Sequence, residues 1–261
     1  MRILLPPSEG KTSLPKGSPV DLTKLIFPEL KAPRQQLLDT LTTLCNNEPQ
    51  QALRVLGLTE NQTDEVIRNQ GLWSAPTAPA WQVYTGVLYG QLDTATLTKA
   101  QRQKLTDSVW IASALFGFVG FADLIPAYRL SGDTTLPQIG GLAGFWRDSL
   151  TPLLASDPEL LLDLRSGSYV KLGPLPVGVA ERAITVRVLQ KMPSGAPKLI
   201  MHFNKATKGR IVRAIAQYRG TLRTARELAQ LVATLGADVE LLPLTKPGQA
   251  QQLEIVLPNL G

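Results

Sequence analysis

One cysteine and one histidine stand in 261 residues, and that scarcity removes whole classes of chemistry. Cys45 alone cannot close an internal disulfide, and His202 alone cannot build a His-rich metal site. Zinc centres and iron sites with two histidines and one carboxylate fail on ligand count. A Ser-His triad would have to use the single histidine, and no Gly-x-Ser-x-Gly elbow occurs. Gly-x-Gly-x-x-Gly is absent too, so a Rossmann dinucleotide site has no support. Gly10-Lys11-Thr12 mimics the end of a phosphate-binding P-loop. Leu5, however, stands where that loop needs its first glycine, and Pro15 interrupts the helix that must follow. The sequence predicts neither a metal nor a cofactor.

Long apolar runs are missing as well. The opening stretch, Ile3-Leu4-Leu5, is too short for a signal-peptide core and ends in Pro6-Pro7. The longest weakly polar stretch, Val109 to Ala122, lies between Asp107 and Asp123 and falls short of the ~20 residues a membrane span needs. It reads as a buried core segment. These features predict a cytoplasmic protein with no membrane partner.

Acidic residues are absent from one long segment. The 45 residues from Arg182 to Arg226 hold 11 Lys or Arg and no Asp or Glu. The remainder holds 16 basic and 21 acidic residues, so the overall charge of +6 comes wholly from this block. A block without counter-charges creates a positive potential that attracts phosphates. A solvated basic face is the plainer reading of the same run.

What is present predicts a mixed α/β fold. We expect a single domain over 1–261 with a mixed central sheet, flanking helices and a helical elaboration in the N-terminal third. Residues 2–5 read as a short buried strand cut off by the prolines. Leu37, Leu38, Leu41, Leu44 and Cys45 recur at helical spacing, which makes Cys45 a core residue. Thr59 and Gln62 sit in capping-box register before a helix expected to turn Val66 and Ile67 inward. Residues 74–80 read as a loop, and 160–164, 183–189, 198–203, 239–242 and 253–257 as strands. His202 thereby becomes a structural histidine inside a strand. A helix is expected over Thr207–Tyr218 with Tyr218 on its apolar stripe, and another after the Thr224–Glu227 capping box with Gly236 as its stop.

Four segments gather polar residues beside Pro, Gly and aromatics: 5–11 (LPPSEGK), 84–89 (YTGVLY), 113–130 (SALFGFVGFADLIPAYRL) and 202–210 (HFNKATKGR). With 145–147 (FWR), their order resembles that of the bacterial YaaA family of peroxide stress resistance proteins, from residue 3 to about 218. The chain departs from the family pattern at Ser166-Gly167-Ser168-Tyr169, which lacks the usual glutamate, and in the spacing of Lys205-Ala206-Thr207-Lys208-Gly209-Arg210. The resemblance implies a cytosolic protein that limits oxidative damage under hydrogen peroxide, in connection with lowered free iron. It also implies a mixed α/β fold and a positive cleft suited to nucleic acid. One histidine and one buried cysteine cannot reduce peroxide or chelate iron directly, so protection would act through a nucleic acid or another partner.

Two function classes follow. In the first, the 182–226 block binds DNA through phosphates. Lys205, Lys208 and Gly209 would lie in the first turn of a helix, and Arg210 and Arg213 would point outward from it. Leu56-Gly57-Leu58-Thr59 adds a faint likeness to helix-hairpin-helix loops, although Thr59 is equally explained as a cap. A membrane-surface role for the same helix is weaker, because its apolar face has no Trp or Phe to insert. In the second class, Ser8, Glu9 and Lys11 act with Tyr128 and Arg129 on a small phosphorylated or nucleotide-like metabolite. Its plain alternative is a turn capped by Ser8 and Glu9, with Arg129 paired to Asp123 or Glu9.

Overall fold

The computed structural model describes residues 1–191 and 201–258, without the side chains of residues 201 and 202. Its centre is a seven-stranded sheet. The strands are Arg2–Leu5 (β1), Val109–Ser113 (β2), Gly117–Gly120 (β3), Leu161–Asp163 (β4), Ala183–Gln190 (β5), Asp238–Leu241 (β6) and Gln251–Leu257 (β7). Their spatial order is β6-β7-β5-β4-β1-β2-β3. The five inner strands are mutually parallel, and β6 and β3 run antiparallel at the two edges. The fold is α/β, as the sequence predicts.

A parallel strand covered on both faces must be apolar throughout, and β1 meets that demand. Ile3, Leu4 and Leu5 are fully buried, with Ile3 opposite Val109 on one side and Leu162 on the other. Pro6 and Pro7 then end the ladder. The stretch from Val109 forms the β2–β3 hairpin in the core. At its turn Gly117 has φ +73°, and a Cβ there would stand 2.9 Å from the ring of the buried Trp146.

Helices cover the sheet. Lys31–Asn47 (α1) buries Leu37, Leu38, Leu41, Leu44 and Cys45. Arg34 on the same helix is also fully buried. Its guanidinium donates to the carbonyls of Phe116 (2.9 Å), Phe118 (2.7 Å), Ile26 (2.8 Å) and Phe27 (3.2 Å), holding α1 to the hairpin. Val87–Leu92 (α2), Leu142–Ser156 (α3), Met201–Gln217 (α4) and Ala225–Ala233 (α5) complete the labelled set. The Thr224–Glu227 box caps α5, and Gly236 takes φ +81° after it.

Several expectations need correction. Residues 201–203 are helical, not strand, while residues 198–200 of that expected strand lie outside the described residues. His202 therefore belongs to a helix, and its side chain is outside the described set. A short apolar run suits a buried helix as well as a strand. Here Ala206, Ile211, Val212, Ile215 and Ala216 form a buried face along α4. That helix starts at Met201, not Thr207, so Lys205, Lys208 and Gly209 are not its first turn. Gly209 serves contact instead: a Cβ there would lie 2.2 Å from the Leu88 carbonyl oxygen, so its absence lets α4 approach α2. Val66 is buried, but Ile67 is 56% exposed because the helix Thr63–Gln70 meets the body along one narrow face. Tyr218, one residue past α4, is exposed rather than core. The expected 74–80 loop contains a short strand, Thr77–Pro79, paired with Leu124–Pro126.

Candidate functional site

In open α/β sheets, ligands collect beyond the carboxyl ends of the strands, where successive connections leave in opposite directions. Strand β1 marks that point here, because the chain crosses from β1 to β2 on one side and later to β4 on the other. The loop after β1 carries Ser8, Glu9 and Lys11. It is strapped to the 83–85 segment by Thr12 N–H to the Val83 carbonyl (2.9 Å) and Thr85 N–H to Ser8 Oγ (2.8 Å). The Ser8 hydroxyl itself donates to the Gly10 carbonyl, so both of its roles are taken by the turn.

Lys11 turns inward and is 9% exposed. Its ammonium donates to the carbonyls of Ser8 (2.9 Å) and Glu9 (3.3 Å) and lies 4.2 Å from the centre of the Tyr128 ring. Burial, followed by the neighbouring Arg129 charge, lowers its pKa from the ordinary 10.5 to about 7. The Tyr128 hydroxyl meets Ser113 Oγ at 2.7 Å and the Tyr84 hydroxyl at 3.0 Å, and Ser113 accepts the Phe116 N–H at 3.0 Å. Burial pushes the Tyr84 and Tyr128 phenols well above their usual range, so they remain neutral hydrogen-bonding groups.

Arg129 completes the cluster. Its backbone is fixed by the fully buried Asn69, which donates to the Arg129 carbonyl (2.7 Å) and accepts its N–H (2.9 Å). Arg129 Nη1 stands 3.1 Å from Glu9 Oε2, on a carboxylate whose side chain is 70% exposed. Arg129 Nε is buried and has no hydrogen-bond partner among the described residues. Glu9, Lys11, Arg129, Leu130, Ser131 and Tyr169 enclose a cavity of about 10 Å³, room for a single water. Thus Glu9, Lys11, Tyr128 and Arg129 converge, while the Ser8 hydroxyl is held by the turn. Asn69 escaped sequence reasoning, since a lone asparagine in a helix carries no signal. Tyr169 was visible only as part of a divergent segment.

The basic block is dispersed by comparison. Arg182 is spent on main-chain carbonyls of residues 154, 157 and 159. Arg187 pairs with Glu254 (3.3 Å) and Lys191 with Asp238 (2.8 Å). Lys208 is buried and donates to the Leu164 carbonyl (3.0 Å), where burial lowers its pKa. Arg210 bonds Gln91 (2.9 Å), and Arg213 bonds the carbonyls of Leu92 and Asp93 (3.0 Å each). Lys205, Arg219, Arg223 and Arg226 are exposed, and no ion pair with a carboxylate engages them among the described residues. Arg219 and Arg223 lie in the connection between α4 and α5, and Arg226 in the first turn of α5. Leu56–Thr59 does lie between two helical segments, with Gly57 at φ +62°.

A second pair of charges went unpredicted. Arg165 grips Asp163 through Nε (2.9 Å) and Nη2 (2.7 Å) at the end of β4 and also donates to the Gly173 carbonyl (2.8 Å). Both side chains are buried, so the pair fixes the loop after β4. A cavity of about 270 Å³ opens at the amino end of β1, lined by Arg2, Lys104, Asp107 and Glu159 among others. Its charges are largely committed: Arg2 to Asp157 (2.6 Å), the N-terminus to Glu159 (2.6 Å) and Lys104 to the Tyr218 carbonyl (2.8 Å). No group of three or more His, Cys, Asp and Glu side chains is placed to hold a metal among the described residues. No helix among them is long and apolar enough to cross a membrane.

Residues 1–235 match the family model of the peroxide stress protein YaaA. A UPF0246 protein of Corynebacterium efficiens is 41% identical over 261 residues, covering 98% of this chain and all of the relative. A UPF0246 protein of Streptomyces coelicolor is 39% identical over 259 residues, covering 98% of each chain. A more distant relative from Campylobacter jejuni, an uncharacterised protein, is 28% identical over the full length of both. Matching along most of its length to the model and end to end to these relatives, the chain belongs to the YaaA (UPF0246) family of peroxide stress proteins.

Proposed function

We propose that this peroxide stress protein works in the cytoplasm by holding nucleic acid, DNA foremost, through phosphates. The observation that carries the reading is the exposed trio Arg219, Arg223 and Arg226, set within eight residues and engaged by no salt bridge among the described residues. Lys205 and Arg210 are exposed on α4 and add positive charge along that helix. Lys208, Gly209 and Arg213 contribute differently, by holding α4 against β4 and α2 so that the exposed cations stand on a rigid support.

The chemistry connects to peroxide damage without a redox centre. Cations condense on nucleic-acid phosphates, and bound Lys and Arg release them. Iron(II) is one such cation, so covering phosphates removes it from the place where its reaction with peroxide would harm the strand. A salt titration of binding to a fluorescent duplex, bubble and single strand tests this. The reading expects log K to fall steeply with log salt, by about 0.9 per phosphate on duplex DNA. Binding that is weak and insensitive to salt contradicts it.

A further inference from the structure

We propose that the pocket between Lys11 and Arg129 is a binding site for the phosphate group of a small ligand, and that the Glu9 carboxylate is a side-chain plug which occupies Arg129 until the phosphate displaces it. This goes beyond the nucleic-acid reading, since it concerns a different face and a ligand of different size.

Three observations converge on it. First, the pocket sits at the carboxyl end of β1, beside the point where the crossovers diverge, and its walls come from three separate segments around residues 9–11, 129–131 and 169. Second, two cations crowd one pocket. Lys11 is held against Tyr128 and donates to main-chain carbonyls, while Glu9 is the one carboxylate that Arg129 reaches among the described residues. Third, the Arg129 guanidinium is only partly used. Nη1 meets Glu9, while Nε is buried without a partner among the described residues, a desolvated donor that an added oxygen would satisfy. A planar guanidinium with an unused N–H donor suits the oxygens of a phosphate.

The plug can move without disturbing the fold. Glu9 is 70% exposed, and the loop that carries it is tethered through Ser8, Gly10 and Thr12, not through the Glu9 side chain. At about 10 Å³ the closed pocket admits a water but not a phosphate, so rotation of Glu9 outward is the opening step. Burial, Arg129 and Arg68 disfavour the charged form of Lys11 while Glu65 and Glu9 favour it, and a bound dianion adds to the favouring side. Binding above neutral pH therefore takes up a proton at the Lys11 amine, and affinity falls as pH rises.

Calorimetric titration of the full chain with phenyl phosphate tests the site. Glu9→Gln is expected to tighten binding about fivefold, the factor that loss of a competing ion pair of ~1 kcal/mol gives. Wild-type affinity is expected to weaken between pH 7 and 9. Arg129→Gln is expected to abolish binding. Because Glu9 is exposed, Glu9→Gln remains informative even if Arg129→Gln fails to fold. Equal affinity of wild type and Glu9→Gln overturns the proposal, as does no binding by either. Loss of phenyl phosphate binding in Arg219→Glu/Arg223→Glu/Arg226→Glu also overturns it, because the anion would then sit on the exposed arginines. Retention there, with DNA binding lost, separates the two sites.

Discussion

The Lys11 ammonium lies 4.2 Å from the centre of the Tyr128 ring, and the hydroxyl of that ring is bonded in turn to Ser113 and Tyr84. A cation over an aromatic face gains electrostatic attraction, yet the same burial removes the ammonium from water. Burial, followed by the Arg129 charge, lowers the Lys11 pKa to about 7 against the carboxylates of Glu65 and Glu9.

That balance makes stability depend on pH. Folded Lys11 releases its proton near pH 7, whereas the unfolded side chain holds it to about 10.5. Between those values the unfolded chain binds more protons, so this group raises stability as pH increases, by at most about 1.4 kcal/mol per pH unit. Below pH 7 its contribution is flat. Urea unfolding of wild type and Lys11→Met at pH 6.5, 8 and 9.5 checks this. The wild-type curve should gain on the variant with rising pH, and parallel curves would refute it.

Gly209→Ala should destabilise the protein by about 1–3 kcal/mol through overpacking. The added methyl would meet the Leu88 carbonyl at 2.2 Å, and backbone there cannot rotate aside. Arg213 depends on the same approach for its bonds to Leu92 and Asp93. Thermal unfolding should fall by several degrees for a chain of this size. An unchanged midpoint would show that the two helices can separate freely.

Arg34→Met should cost about 3–5 kcal/mol. It leaves carbonyls of residues 26, 27, 116 and 118 without a shared donor inside the core. Burial already lowers the Arg34 pKa to about 10, so the charge is held at a cost and retained for its four bonds. Chemical unfolding measures the difference, and a loss under 1 kcal/mol would mean the hairpin holds itself.

Local sequence patterns carried much of the fold. The apolar run of β1, the stripe of α1 and the Thr224–Glu227 cap are each written in adjacent or helically spaced residues. Arg34 was invisible because its partners are main-chain carbonyls, which no side-chain pattern announces. The start of α4 is not legible in the sequence because Met201 and Phe203 follow apolar Leu199 and Ile200, and such a run fits strand or helix until its packing is known. For the site, the Pro-Pro-Ser-Glu-Gly-Lys loop and Tyr128-Arg129 were marked by composition, and they do meet. Their closing partners, Asn69 and Tyr169, depend on contacts across 60 and 40 residues of chain from Arg129, and only the fold reveals those.

In the proposed function, exposed arginines beside the α4–α5 turn hold nucleic acid. Its most direct test compares wild type with Arg219→Glu/Arg223→Glu/Arg226→Glu for binding to duplex DNA across a salt series, with circular dichroism to confirm the fold. The account predicts that the folded variant loses binding at low salt and that the slope of log K against log salt shrinks by about one for each arginine. Unchanged affinity and slope in a folded variant would contradict it.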